Sequence, residues 1–352
     1  MAIAIRPADL SCDVEHILEI LHRNLTDLAH RERFHWMYRQ NPAGSAWSWL
    51  AYETGTREMV GVASLCPQMV WIEGEIRRCG QVRDFAIDVG HRSLGPAILL
   101  QRATFGPVDD GILSFCYDCP PDHRGMSTFR RMGIKPSCQM QRYARILRLD
   151  RKVSSILGNS MQGKAVGAMA NCLMRVLSGA RFLTRSKTAG IQISVHKTRF
   201  GEEFSELDQR LARMDTIRGR RAAEDLNWRY RDNPIQPYRV LTAHRHGELQ
   251  AYLVYNTFGQ DAYIIDLFGD SLRETGTQLL EAAVSNLLKE EIQTLHWVVN
   301  RDDDSSVLAR AAGFSLRSDA ACVVAYASPR STFHTILSQA PRWQFTHAEI
   351  IA

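Results

Sequence analysis

One short pattern occurs twice in this chain, and it limits the fold to a doubled architecture. Residues 34–42 read Phe-His-Trp-Met-Tyr-Arg-Gln-Asn-Pro, and residues 226–234 read Leu-Asn-Trp-Arg-Tyr-Arg-Asp-Asn-Pro. The shared pattern is Trp-x-Tyr-Arg-x-Asn-Pro, with all five identities in one register 192 residues apart. Before each copy the apolar residues recur at helical spacing: Ile17, Leu18, Ile20, Leu21, Leu25 and Leu28, then Leu207, Leu211 and Met214. After each copy come two strand-like runs, Trp47 to Glu53 with Met59 to Leu65, and Tyr238 to Arg245 with Glu248 to Thr257. The Asn-Pro ends each helix, because proline disfavours a helical residue before it. Trp and Tyr, two apart, fall on different faces, so each is expected to anchor a core against a different neighbour.

The chain therefore reads as two similar α/β halves. Its 352 residues suit two domains. The expected boundaries are an N-terminal domain over 1–150, a helical linker over 151–200, a C-terminal domain over 201–330, and a tail over 331–352. Within the tail, Trp343-Gln-Phe-Thr suits a closing strand. The linker stretch 165–185 is apolar and basic. It is either a helix packed on one half or an amphipathic surface for membrane or a lipid-linked substrate.

Composition excludes several classes. A hydrophobic share of 45% and a charged share of 23% are ordinary for a globular protein. A net charge of +5 is too small to argue for nucleic acid. No run is long enough for a membrane span. The N-terminus lacks a signal-peptide pattern and resembles a first strand. The eight cysteines are scattered, which fits free thiols in a cytoplasmic setting. Cys116 and Cys119 form a lone Cys-x-x-Cys without a second ligand pair, so no metal is expected.

Residues 80–104 carry the candidate ligand site. The expected order is a strand from Gln81 to Asp88, a loop from Val89 to Gly95, and a helix from Pro96. Gly95 permits an unusual backbone angle or a close ligand approach. Such a loop presents free N–H groups at the positive end of a helix, a recipe for binding phosphate.

Here Arg92-Ser93-Leu94-Gly95-Pro96-Ala97 resembles the Arg/Gln-x-x-Gly-x-Gly/Ala signature of the GNAT acyltransferases. Asp84-Phe85-Ala86-Ile87 resembles that family's central strand. Phe129-Arg-Arg-Met-Gly133-Ile134 and Arg301 to Phe314 resemble its Tyr-x-x-x-Gly-Phe ending. The resemblance covers most of both halves and implies a tandem GNAT protein. Its α/β fold would be two GNAT-like domains, each a mostly antiparallel, splayed mixed sheet flanked by helices.

The resemblance also implies acetyl-CoA, or another acyl-CoA, as co-substrate. Ser93, Leu94, Gly95 and Ala97 would offer N–H groups to its pyrophosphate, Arg92 would add charge, and the Ile87–Val89 backbone would pair with the pantetheine arm. Three departures matter. Pro96 removes one amide. The family's tyrosine acid is replaced by Phe129 and Ala309. The second half carries Asp266-Leu-Phe-Gly-Asp-Ser in place of a cradle, and its acidic residues would repel phosphate. Only the first half is expected to bind acyl-CoA.

Acyl transfer to an amine needs a base for the amine proton and an acid for the departing thiolate. Asp84, sharing a strand face with Ala86 and Asp88, is the candidate base; its competing role is an ion pair with Arg83 or a backbone contact. Tyr117, at the end of an expected strand Ile112–Tyr117, is the candidate acid. His91 is expected to face solvent or phosphate. The expected activity is N-acyl transfer to a small-molecule or lipid-linked amine. The alternatives are a non-catalytic acyl-CoA-binding or scaffold protein and an aminoacyl transferase for cell-envelope precursors.

Overall fold

In a computed structural model, the described residues are 2–25, 28–120, 123–148, 190–213, 215–338 and 342–350. The stretch 165–185 lies outside them. The first half runs β1 (Ile3–Pro7), α1 (Val14–Asn24), α2 (Arg31–Phe34) with a following π-turn His35–Arg39, β2 (Trp47–Glu53), β3 (Met59–Ile72), β4 (Glu75–Ile87), α3 (Leu94–Ala103), α4 (Gly106–Asp109), β5 (Cys116–Asp118), α5 (His123–Arg131) and β6 (Pro136–Ile146). The second half runs β7 (Ile191–His196), α6 (Glu202–Arg210), β8 (Thr216–Gly219), α7 (Ala223–Tyr230), β9 (Arg239–Arg245), β10 (Glu248–Phe258), β11 (Asp261–Gly269), α8 (Thr275–Leu288), β12 (Thr294–Asn300), α9 (Asp304–Ala311) and β13 (Ser315–Tyr326), then α10 (Thr332–Ser338) and β14 (Arg342–Trp343).

The principal strands form one mixed sheet, mostly antiparallel, in the order β1-β2-β3-β4-β5-β13-β6-β12-β11-β10-β9-β7. From either end, the order gives the same succession of equivalent strands. The centre is exchanged: β5 pairs with β13 of the second half, and β12 pairs with β6 of the first. The exchanged strands then pair with each other. Helices cover both faces. Against the first half, α1 and α2 pack on Leu50, Val62 and Ala86. Leu100 of α3 and Phe129 of α5 belong to clusters that include Ile87 and Val82 respectively. No described helix is long and apolar enough to cross a membrane.

The repeat is the hinge of this symmetry. Trp36 and Trp228 stack on one another, with ring centroids 4.8 Å apart and planes at 22°. Each indole N–H donates to the other residue's carbonyl, at 2.8 Å and 3.0 Å. The two tyrosines turn inward instead. Tyr38 donates to Asp84 Oδ2 at 2.7 Å, and Tyr230 reaches Asp266 Oδ2 at 3.4 Å. Asn41 and Asn233 each accept the amide two residues on, at 2.9 Å, which closes the turn after each helix. The members of the pattern therefore have distinct physical roles. The tryptophans join the halves, the tyrosines hold a central-strand aspartate, and the asparagines make the exit turn.

Several boundaries differ from expectation. The strand expected over Ile112–Tyr117 begins only at Cys116, because residues 112–115 bend to bring the Phe115 carbonyl to the Gly80 amide. The helix expected from Pro96 begins at Leu94, with Ser93 as its N-cap. Pro96 therefore sits third in the helix, where its N–H would still lack a partner.

Candidate active site

β4 and β5 pair in parallel at Gly80–Cys116 and Gln81–Tyr117, and no further. Beyond Gln81, β4 continues to Ile87 while β5 diverges, so the sheet opens. At the opening β4 bulges: Arg83 lies opposite Ser64, but Ala86 lies opposite Val62. The bulge puts Asp84 at φ +52°, in the left-handed region that non-glycine residues avoid. β10 and β11 carry an equivalent bulge, with Val254 opposite Asp266 and Tyr255 opposite Ile264.

The two openings are filled differently. In the second half the C-terminal segment runs into the gap. Thr346 bridges Val299 of β12, Asn300 donates to the Trp343 carbonyl at 2.6 Å, and Thr346 Oγ1 reaches Asp266 at 3.2 Å. Trp343 and Phe345 of this segment are fully buried and pack on Phe115 and Tyr117 of the first half. Helix starts differ as well. A side chain at Gly95, second in α3, would meet nothing within 4 Å; one at Gly276, second in α8, would meet Leu308 at 3.2 Å and Leu272 at 3.4 Å. Among the described residues the first helix start is clear at its glycine and the second is packed at its glycine, although a cavity lined by Phe268 to Arg273, Asp303 to Ser305, Arg342 and Thr346 opens beside the second.

The cradle residues lie as follows. Leu94 and Gly95 head α3, so their amides have no intrahelical partner. The Ser93 amide donates to the His91 carbonyl at 2.7 Å, and the Ala97 amide to the Ser93 carbonyl at 3.4 Å. Gly95 has no left-handed backbone angle, so its contribution is open space. Val89 is exposed in a short 3₁₀ turn. Arg92 folds inward: Nε donates to the Ile87 carbonyl at 2.9 Å and Nη2 to Asn24 at 2.9 Å. That carbonyl is therefore engaged within the protein. His91 faces neither solvent nor phosphate alone, since it bonds Glu53 at 2.7 Å.

Asp84 is buried in a bidentate pair with Arg33, at 2.8 and 2.9 Å, and also accepts from Tyr38. Its ion-pair partner is Arg33, not Arg83. Burial raises its pKa, but the Arg33 charge and these hydrogen bonds outweigh burial and lower it. It is a weak base whose visible role is to pin the bulge. Asp266 mirrors it, held by Arg221, Tyr230 and Tyr252. Its charge is thus spent inside the core rather than presented to a ligand. Tyr117 packs on Phe345, ring centroids 5.0 Å apart, and burial pushes its phenol well up. Asp84 and Tyr117 have separate partners.

Sequence reasoning passed over Asp118. It ends β5 at the mouth of the first opening and is partly exposed. Burial pushes its carboxyl up to about 7, against the backbone hydrogen bond at Cys119 and the Arg83 charge. A carboxyl near neutrality in a cleft is a candidate general base. The available signal was a carboxylate closing the strand beside the central one. Cys116 and Cys119 flank it as free thiols, both pushed well up by burial. Among the described residues no metal-ligating cluster forms.

No known family profile matches the sequence, and no curated protein matches it. Solved structures do. A probable N-acyltransferase from Enterococcus faecalis V583 superposes with a TM-score of 0.62 at 10% identity, over 92% of this chain and 72% of that one. A tandem GNAT protein from the clavulanic acid biosynthesis pathway gives 0.58 at 14% identity, over 92% and 98%. The chain has the tandem GNAT fold. The N-myristoyltransferase of Saccharomyces cerevisiae, solved with myristoyl-CoA, gives 0.55 at 11% identity, over 92% and 82%. At these identities the likeness is one of fold.

Proposed function

We propose that the protein transfers an acyl group from acyl-CoA to an amine, with acyl-CoA held by the first half. The observation that carries this reading is the parting of β4 from β5 after Gln81, with the Asp118 carboxylate ending β5 beside it. The residues present fit the co-substrate. The Leu94 and Gly95 amides stand unpaired at a helix N-terminus with open space at Gly95, which suits a phosphate. The β4 edge past Gln81 lacks a strand partner on the β5 side, leaving backbone groups for the amide-bearing arm. Acyl-CoA supplies the activated thioester carbonyl. Asp118 would take the proton of the attacking amine as the new C–N bond forms; the C–S bond breaks with coenzyme A leaving as its thiolate, which takes a proton from water to give the free thiol. Asp84, locked by Arg33 and Tyr38, fixes the bulge beside the reacting carbonyl. Phe129 and Ala309 are buried, so neither the first nor the second half places a tyrosine-like acid there. The acceptor is an amine, cytoplasmic in origin and either free or lipid-linked.

The test is calorimetric titration of acetyl-CoA and longer acyl-CoAs into wild type and Gly95→Glu, followed by thiol release with an amine panel. Saturable binding that Gly95→Glu abolishes, with amine-dependent thiol release, is the expected result. Failure of wild type to bind any acyl-CoA overturns the reading and leaves a scaffold member of the fold.

A further inference from the structure

The two copies of the repeat differ at one position that matters. Where the first copy has Met37, the second has Arg229. Met37 stays within its own half, its sulfur accepting from Arg33 at 3.4 Å. Arg229 crosses to the other half: Nη2 donates to Gln68 Oε1 of β3 at 3.0 Å. The residue is 4% exposed, yet its Nε and Nη1 have no hydrogen-bond partner among the described residues. Buried guanidinium donors left unpaired are costly, so such groups mark a place where a partner is expected.

Among the described residues no nearby carboxylate supplies that partner. Glu349 and Asp266 balance charge in the region, but both already accept hydrogen bonds from Arg221. Asp225, on the same helix as Arg229, is taken by Arg220. A second cation lies on the same sheet face. Arg83, immediately before the bulge, donates to Gln81 and to the Ile350 carbonyl and leaves Nε unpaired. Gln81 stands opposite Cys66, the next residue on that face from Gln68. Tyr238, partly exposed, lies within range of both guanidinium charges. Two arginines with unspent donors thus lie on one face of β3 and β4 beside the point where β4 and β5 part, one lent by the second half.

We infer that Arg229, with Arg83, recognises a carboxylate carried by the amine acceptor, which makes the acceptor an amino acid or a molecule with an amino-acid-like end. The inference rests on the acyl-transfer reading above for the word acceptor, and on Arg229 alone for the anion. Methionine at 229 would restore the symmetry of the repeat and remove the site.

Two arms test it. In the first, melting temperature is followed against sodium acetate, with sodium chloride at equal ionic strength as control. Wild type should show a saturable, acetate-specific rise, and Arg229→Met should weaken the apparent acetate affinity at least tenfold. Arg229→Lys keeps a charge in place and should retain acetate affinity within about threefold; it serves if the methionine variant does not fold. In the second arm, thiol release from acetyl-CoA is measured with paired acceptors that differ by the carboxylate: phenylalanine and phenethylamine, glutamate and 4-aminobutyrate, lysine and cadaverine. The carboxylated member should be preferred, and Arg229→Met should raise its KM while leaving the KM of its partner and acetyl-CoA affinity unchanged. Equal acetate responses in wild type and Arg229→Met, or equal turnover within every pair, overturn the inference. An intact acetate response without thiol release from any amine would overturn the acyl-transfer reading and leave the anion site standing.

Discussion

The two halves share a strand order, a bulge, a buried aspartate and a repeat, yet they differ in how the C-terminal segment meets their gaps and in the packing of the following helix start. In the first, β4 has no strand pairing to β5 beyond Gln81 among the described residues, only the Glu349 and Ile350 carbonyls reach Gln81 and Arg83 from the C-terminal segment, and the second residue of the helix at its mouth is a glycine facing space. In the second, residues 343–347 lie in the gap and the matching glycine packs on Leu308. A duplicated fold therefore keeps its framework and divides its labour. One copy keeps the glycine of its helix start clear, and the other packs that glycine and lends Arg229 across the join.

The comparison can be broken most sharply at Asp118. Asp118→Asn should lower turnover by roughly two to four orders of magnitude, the range for a lost general base, with acetyl-CoA affinity unchanged in calorimetry. In wild type the rate should rise with pH through about 7 as the carboxyl ionises, and the variant should lose that limb. An unaltered pH profile would assign the base elsewhere.

Next come the mirrored ion pairs. Arg33→Met strands one buried carboxylate, whereas Arg221→Met strands two, Asp266 and Glu349. Breaking a buried pair costs about 3–5 kcal/mol. Denaturant titration should show at least that loss for Arg221→Met and a smaller one for Arg33→Met. The reverse order would mean that the second half is not the more tightly held.

A smaller effect reads the C-terminal segment in the second gap by pH. Burial lowers the His347 pKa to about 4, so the folded protein holds this residue neutral. The unfolded chain takes up a proton below about pH 6.5. Stability from this group is therefore present above pH 6.5 and lost as pH falls toward 4, by at most about 1.4 kcal/mol per pH unit. His347→Gln should flatten that slope in denaturant midpoints measured across the window. An unchanged slope would mean that His347 does not set it.

The smallest expected effect is the coupling between Trp36 and Trp228. Stacked aromatic pairs add about 0.5–1.5 kcal/mol beyond area burial. A double-mutant cycle with alanine should find the two substitutions non-additive by that amount. Additivity would mean that each ring serves only its own half.

Much of this is legible in the chain. The repeat implies two halves, and apolar periodicity locates α1, β2 and β10 to within a few residues. The cradle glycine and the replacement of tyrosine by Phe129 are readable from a pattern of side chains. What escapes depends on partners. Nothing in the alternation of β6 or β13 says that each will lie in the other half's sheet, since periodicity reports a face and not a neighbour. Asp84 looks like a free carboxylate because Arg33 is 51 residues away and meets it only through the fold. Asp118 is hidden by its short strand: three residues carry no period. The start of α3 is ambiguous because Pro96 suits a first helical position while Ser93, three residues earlier, is a natural cap.

The exchanged strands carry a consequence for how the molecule comes apart. β5 pairs with β4 of its own half but gains its second neighbour only once β13 has been made, and β12, paired with β11, gains its second only through β6. Neither half can complete its hydrogen-bond ladder from its own sequence. Loss of structure in one should therefore propagate into the other, and heating should melt the whole sheet in a single transition, seen alike by calorimetry and by far-ultraviolet dichroism. Duplication, which elsewhere gives two units that can fail independently, has here produced one unit of cooperativity.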